Sequence, residues 1–403
     1  MSYKTYNNYK DSKIDWIKEI PDSWSISRVK NISLIKSGES PNFDDNGQYD
    51  VIGANGKIGQ TNRFNISTYH IIIGRVGASG SVNISPEFAF ISDNAFILTL
   101  NKNIDLKYSF YLFKALDMDR LINKNAQPLL TATQIKNLFI PYTTLNEQKQ
   151  IANYLDKKTA KIDATIAKNK ELIDLLEEKR VALINQVVTK GLNPDVPMKD
   201  SGVKWIGEIP KHWSIRPLKS VANIIMGQSP DSKDINDEKQ GILFMQGNAD
   251  FTNLYPQPSE YCTSPKKISR EEDILMSVRA PVGELNISDK RYGIGRGLCS
   301  IKPIKVTQSF LWYYLLKSKT DFNYYSNGST FDAITIGNLS SFPITIPELN
   351  EQKEIGVYLN KETSNIDKII EKVTSNIQLL EEYKTSLIHH VVTGKIDVRG
   401  EEI

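Results

Sequence analysis

The chain has 403 residues, 40% hydrophobic and 24% charged, which is an ordinary globular composition and too long for one typical core, so two domains or more are expected. Fifty Lys and Arg against 47 Asp and Glu leave a formal charge of +3, which excludes a polycation or an acidic tail as the basis of function. Cys262, Cys299 and four scattered histidines cannot make a disulfide framework or a zinc cluster, no apolar run nears the ~20 residues that cross a bilayer, and MSYKTYNNYKDSK has no signal-peptide core, so a cytoplasmic protein is expected.

In chain order, DSKIDWIKEIPDSWSISRVKNISLIKSGESP from Asp11 to Pro41 comes first, and it returns without a gap as DSGVKWIGEIPKHWSIRPLKSVANIIMGQSP from Asp200 to Pro230. Trp16, Pro21, Trp24, Gly38 and Pro41 thus match Trp205, Pro210, Trp213, Gly227 and Pro230. Next come β-rich runs bounded by Gly, Asn, Asp and Pro, such as YHIIIGRV from Tyr69 and AFILTL from Ala95, with GILFMQG from Gly241 in the second half. SFYLFKAL from Ser109 and SFLWYYLLKS from Ser309 read as one short buried helix in each half. These middle regions, about 100 residues each, align poorly apart from islands such as IIIGRVGASGSVNI from Ile71 against ILMSVRAPVGELNI from Ile274.

The second shared segment, LNEQKQIANYLDKKTAKID from Leu145, returns as LNEQKEIGVYLNKETSNID from Leu349. Alternating steps of three and four from Leu155 reach Thr159, Ile162, Ile166, Asn169, Ile173, Leu176, Arg180, Leu183 and Val187, and the same walk from Leu359 ends at Val391. This is the seam of a long coiled-coil helix. Asn146 and Asn350 stand as expected N-caps, and Gly191 and Gly394 as expected stops. GLNPDVPMKDSGVK from Gly191 then leads at once into the second half, so parallel helices would part the two ends of that half by ~60 Å at 1.5 Å per residue. Antiparallel pairing is the economical solution. The expected fold class is α+β, two mixed α/β regions joined by two long antiparallel helices in a coiled-coil spacer with an internal pseudo-twofold repeat.

There is no GxxxxGK[ST] loop, no GxGxxG after a strand, no HExxH and no GxSxG. GANGKIG from Gly53 has the wrong spacing for a phosphate loop. The IPY at Ile140 lacks the polar residue and second proline that amino-methyltransferases place against a target base. Acidic residues near Pro194 and Pro230 do not make a metal-nuclease pattern, and His389 with His390 reads as a solvated or capping pair.

What remains is a set of polar and basic residues in Gly-rich loops: Asn55 and Lys57 in GANGK, Arg75 and Ser79 in GRVGASG, Gln246 and Asn248 in MQGN, Arg279 in SVRAPVG and Arg296 in GIGRG. Arg, Asn and Gln carry the paired donors and acceptors that match guanine or adenine edges in the major groove. The bland reading of any one of them is a loop side chain paired to a neighbour. Residues 1–144 carry 16 basic and 13 acidic side chains and 200–345 carry 17 and 15, so any basic patch is local.

The paired W-I-x-E-I-P-x-x-W segments at Trp16 and Trp205, the LNEQK-to-helix segments at Leu145 and Leu349, and their duplicated order resemble the specificity subunit of type I restriction-modification systems, over almost the whole chain. The resemblance implies target recognition domains at 1–144 and 200–348, spacer helices at 145–190 and 349–394, a linker at 191–199 and a tail at 395–403. It implies a subunit without catalysis that binds double-stranded DNA, each domain reading half of a split site. The implied partners are two methyltransferase subunits carrying S-adenosylmethionine and two restriction subunits carrying ATP and Mg. A coiled-coil scaffold that binds no DNA and a self-contained methyltransferase are the alternatives from other classes.

Overall fold

The computed structural model describes residues 3–14, 16–116, 118–121, 129–319, 321–322 and 333–401. It divides into two compact units: Met1–Lys170 with Thr374–Ile403, and Glu171–Val373. The principal helices are α1 (Leu106–Ala115), α2 (Leu145–Lys190), α3 (Gln308–Lys317) and α4 (Leu349–Val392), so each unit takes one short helix and part of both long ones.

Each unit repeats one plan. In unit 1 the antiparallel sheet runs Ser33–Ser37, Ala95–Leu100, Ile71–Gly74, Val82–Ile84, and in unit 2 it runs Ala222–Met226, Leu298–Pro303, Ile274–Ser277, Leu285–Ile287. The ribbon of Ser25–Arg28 with Phe139–Tyr142 has its copy in Ser214–Pro217 with Pro343–Ile346. Beside the sheets, Tyr49–Gly53 pairs in parallel with Phe90–Ile91, as Ile242–Met245 does with Gly293–Ile294. The poorly aligning middles are therefore copies too. Continuously buried positions such as Ile71, Ile72, Ile73 and Leu98 can be met by any apolar residue of similar size, which is why sequence identity faded while strand order did not.

Both long helices form, and every seam position of both walks is buried or half-buried. Within unit 1, Lys384 Nζ on α4 lies 2.6 Å from Asp163 Oδ1 on α2; within unit 2, Arg180 Nη1 on α2 lies 2.9 Å from Asp367 Oδ1 on α4. In unit 1 the chain just past the end of α4 also meets the start of α2, where Arg399 Nε is 3.8 Å from Glu147 Oε1. The pairing is antiparallel in each unit. One expectation is corrected: Asn146 and Asn350 are already inside their helices, and the caps stand two residues earlier. Thr144 accepts the Gln148 amide on its carbonyl at 2.9 Å and the Glu147 amide on its hydroxyl at 3.4 Å, and Glu348 accepts the Gln352 amide at 3.0 Å. Leucine starts both helices, because the capping work falls to the residue whose carbonyl accepts the first helical bond. Gly191 and Gly394 do lie just past the helix ends with φ of 78° and 74°, the left-handed turn that glycine adopts freely.

The LNEQK segment binds each end together. In unit 1, Glu147 Oε1 accepts the Trp24 indole N–H at 3.1 Å and the Tyr6 hydroxyl at 2.7 Å, while Thr143 donates to Oε2. In unit 2, Glu351 Oε2 accepts the Trp213 indole N–H at 2.9 Å, with His212 Nε2 at 3.0 Å. A carboxylate in the first turn also faces the positive end of its helix. Gln148 and Gln352, both buried, accept the Asp105 and Thr307 amides at 2.8 and 2.9 Å and so hold the N-caps of α1 and α3. Around the second joint, Trp213, Phe310, Ile355, Leu359, Val187 and Val188 share one core. His389, expected to be solvated or capping, is half-buried with its ring 6.0 Å from that of Trp16. The tail turns back into unit 1, where the Asp397 amide donates to the Lys4 carbonyl at 2.8 Å.

Glu147→Ala strands the buried Trp24, Tyr6 and Thr143 donors, at roughly 1–3 kcal/mol for each donor left dry. Glu351→Ala strands the Trp213 donor, its other partner His212 being exposed. Thermal unfolding should therefore fall further for Glu147→Ala, and equal losses would show that the indole alone carries the joint.

Candidate nucleic-acid interface

Four of the sequence-selected residues, Gln246, Asn248, Arg279 and Arg296, line one open cleft of about 260 Å³ with Gly247, Ala280 and Gly297. Backbone convergence builds it. Gly227, Gly295 and Gly297 come so close to Gln246 and to one another that added Cβ atoms would lie 2.1 Å from the Gly295 carbonyl oxygen, 2.4 Å from Gln246 Oε1 and 2.6 Å from the Gln246 carbonyl oxygen. Only glycine fits these approaches. Gln246, Arg279 and Arg296 are exposed, and Asn248 is half-buried. Gln246 Nε2 donates to Ser229 Oγ at 2.8 Å, which orients the amide. Among the described residues no carboxylate lies within 4.0 Å of Arg279 or Arg296. These guanidinium groups, five donors each on planar forks, therefore point an unneutralised positive field out of the cleft.

The corresponding place in unit 1 follows from register. Val51 and Ile52 pair with Phe90 and Ile91 as Phe244 and Met245 pair with Gly293 and Ile294. The Ser92 amide bonds the Ile52 carbonyl at 2.9 Å as the Gly295 amide bonds Met245 at 2.7 Å. Asn55 therefore corresponds to Asn248, and it is exposed at the turn between Tyr49–Gly53 and Gly56–Thr61. Lys57, on the next strand, is held by Asp50 at 2.6 Å. Arg75 lies with its guanidinium 5.9 Å from the Phe96 ring centre, and Ser79 donates its hydroxyl to the Arg75 carbonyl at 2.8 Å. The Arg75 amide bonds the Asn94 carbonyl at 2.8 Å as Val278 bonds Gly297 at 2.9 Å, so Arg75 matches Val278, and Arg279 matches Val76. The four unit 1 candidates thus sit on or beside two neighbouring turns, tied together where Ser81 donates its hydroxyl to the Ala54 carbonyl.

Sequence reading missed Ser229 and its counterpart Ser40, although the repeated G-x-S-P at Gly38 and Gly227 pointed to both. Burial pushes the Cys299 thiol up to about 12, which leaves it protonated. Burial first, then Lys395 and His390, hold the His389 imidazole below its usual range. Among the described residues no three His, Cys, Asp or Glu side chains could hold a metal, and no helix is long and apolar enough to cross a membrane.

Two units of like strand order, the second opening a polar, glycine-lined cleft where its strands end and the first bringing polar loops to the corresponding place, define a duplicated α/β protein. The family model for the type I restriction modification DNA specificity domain matches residues 21–174 and again 210–379. A putative type I restriction enzyme MjaX specificity subunit of Methanocaldococcus jannaschii is 35% identical over 97% of both chains, and the EcoBI specificity subunit of Escherichia coli is 24% identical over 56% of this chain and 52% of its own. In fold, a chain solved for the assembly and conformational transition of the type I R-M system covers 94% of this chain and 99% of its own at 23% identity and TM-score 0.75. The HsdS subunit from Thermoanaerobacter tengcongensis covers 94% and 98% at 22% identity and TM-score 0.58. The chain belongs to the type I restriction-modification specificity family, whose members are its non-catalytic recognition subunits with two target recognition domains and no catalytic cofactor of their own.

Proposed function

We propose that residues 1–144 and 200–348 are separate readers, each recognising one half of a bipartite double-stranded DNA site, the second through its cleft and the first through the corresponding loops. Asn55, Lys57, Arg75 and Ser79 face DNA in the first, and Gln246, Asn248, Arg279 and Arg296 in the second. The observation that carries the reading is the gathering of two unpaired arginines, a glutamine and an asparagine around one glycine-lined cleft. Arg can fork onto guanine O6 and N7 and Asn or Gln onto adenine N6 and N7, while Ser79 and Lys57, already engaged, support their turns or meet phosphate. The helices at 145–190 and 349–394 set the gap between half-sites, 191–199 links the halves, and the tail at 395–403 is anchored through Asp397 to Lys4.

Two methyltransferase subunits and two restriction subunits complete the assembly, bringing S-adenosylmethionine, ATP and Mg on their own chains. A groove in each unit supports two like docking places. The one in unit 2, about 640 Å³, is lined by Glu177, Glu178, Val181 and Trp205; that in unit 1, about 560 Å³, by Glu381, Glu382, Thr385 and His389. Both glutamate pairs come from the repeated LLEE, so a partner with a basic patch meets the same surface twice.

In the assembled complex, sequencing of methylated DNA should return one relaxed base position in a single half-site for Arg279→Ala and for Arg296→Ala, with the gap unchanged and an affinity loss of about 1–3 kcal/mol each. Wild-type motif and affinity in both variants would remove the cleft from the interface. Reversing charge at Glu177 and Glu178 to Lys should leave one methyltransferase copy bound per chain, and reversing Glu381 and Glu382 as well should leave none, by mass of the purified complex; two copies retained in the fourfold variant would place docking elsewhere.

A further inference from the structure

The register that matches Asn55 to Asn248 also aligns a residue that no motif singled out. Ser92 corresponds to Gly295, because the Ala95 amide bonds the Ser92 carbonyl at 3.1 Å as the Leu298 amide bonds Gly295 at 3.1 Å, and so Asp93 stands where Arg296 stands. The surrounding backbone is the same. An added Cβ on Gly38 would lie 2.2 Å from the Ser92 carbonyl oxygen, as one on Gly227 would lie 2.1 Å from that of Gly295. We propose that Asp93 is the specificity-determining carboxylate of the first recognition domain, accepting a hydrogen bond from a base amino group, so that the two matched loop sites read opposite hydrogen-bond polarity on one backbone. This rests on the reading of these loops as the DNA face.

The Asp93 side chain is exposed, and among the described residues no basic side chain lies within 4.0 Å. Its position is held, since its amide donates to the Glu39 carbonyl at 3.0 Å and its Oδ2 accepts the Ser40 hydroxyl at 3.0 Å, leaving Oδ1 open. Ser40 is the counterpart of Ser229, which in the second cleft serves Gln246. An ionised carboxylate only accepts. In the major groove only the amino groups of cytosine N4 and adenine N6 donate, whereas guanine and thymine turn acceptors toward it and would repel it. A carboxylate near phosphates is a poor source of affinity, and it acts by excluding wrong bases. Asp93 therefore selects cytosine or adenine on the strand it faces.

The test uses the full chain assembled with its methyltransferase subunit, and reads the methylated motif and competition binding at every position of the first half-site. Asp93→Asn keeps the Ser40 bond but adds donors. It should admit guanine or thymine at one position of the first half-site, cutting discrimination there roughly tenfold, with the second half unchanged, and Asp93→Ala should relax the same position. Arg296→Ala, in parallel, should relax one position of the second half. A wild-type first half-site in both Asp93 variants, with Arg296→Ala relaxed, overturns the inference and leaves the interface standing. A wild-type motif in all three overturns both. For the unmutated protein, DNA lacking that single amino group should compete roughly tenfold less well, and equal competition from DNA lacking each amino group in turn contradicts the assignment even if a variant fails to assemble.

Discussion

The glutamate that opens each long helix, buried in unit 1 and half-buried in unit 2, makes the interaction on which the remaining architecture depends. Glu147 and Glu351 each receive an indole N–H from the IPxxW segment while sitting in the first turn of a helix. The stop glycine of the antiparallel helix lies against the same tryptophan: an added Cβ on Gly394 would come 3.4 Å from Trp24 Cη2, and one on Gly191 would come 3.3 Å from Trp213 Cζ2. A single joint thus ties helix start, helix end and recognition region within each unit. An unpaired buried carboxylate or indole is expensive, so neither partner can change alone. This reciprocity accounts for the survival of W-I-x-E-I-P-x-x-W and LNEQK in both copies of the repeat.

Above the joint the constraint changes character. The central strands need buried, mostly apolar runs but not particular residues, and the cleft needs glycine where strands end within van der Waals distance of one another. What faces outward from that backbone is unconstrained by the fold. Position 296 and its counterpart 93 carry opposite charge, and 279 and its counterpart 76 carry arginine and valine, without disturbing the hydrogen bonds beneath them. A recognition module built in this way changes chemistry by side-chain replacement at fixed geometry, while the joint and the seam stay common to both halves.

This division explains which features were legible before any coordinates. Helix periodicity, stop glycines and the repeated ends were plain, because each follows from a local rule or from near-identity. The caps were misplaced by two residues because Asn is the stronger general N-cap, whereas Thr144 and Glu348 fill the role by position. Beyond the island from Ile71 the equivalence of the two middles was invisible, since Tyr49–Gly53 and Ile242–Met245 share a parallel partner strand but almost no residues. Gln246, Asn248, Arg279 and Arg296 could be chosen by chemistry, yet their meeting in one cleft depends on parallel pairing between Ile242–Met245 and Gly293–Ile294 that no sequence pattern announces. Asp93 was passed over because a lone loop aspartate carries no motif, and only register gives it a counterpart.

The most direct measurement is site-specific photo-cross-linking from positions 55 and 248, the structurally matched asparagines, in the assembled complex on its DNA site. The account predicts that each position cross-links to bases of a different half-site, 55 to one and 248 to the other. Cross-links from both positions to the same half-site, or none while positions on the opposite faces of the sheets do cross-link, would contradict it.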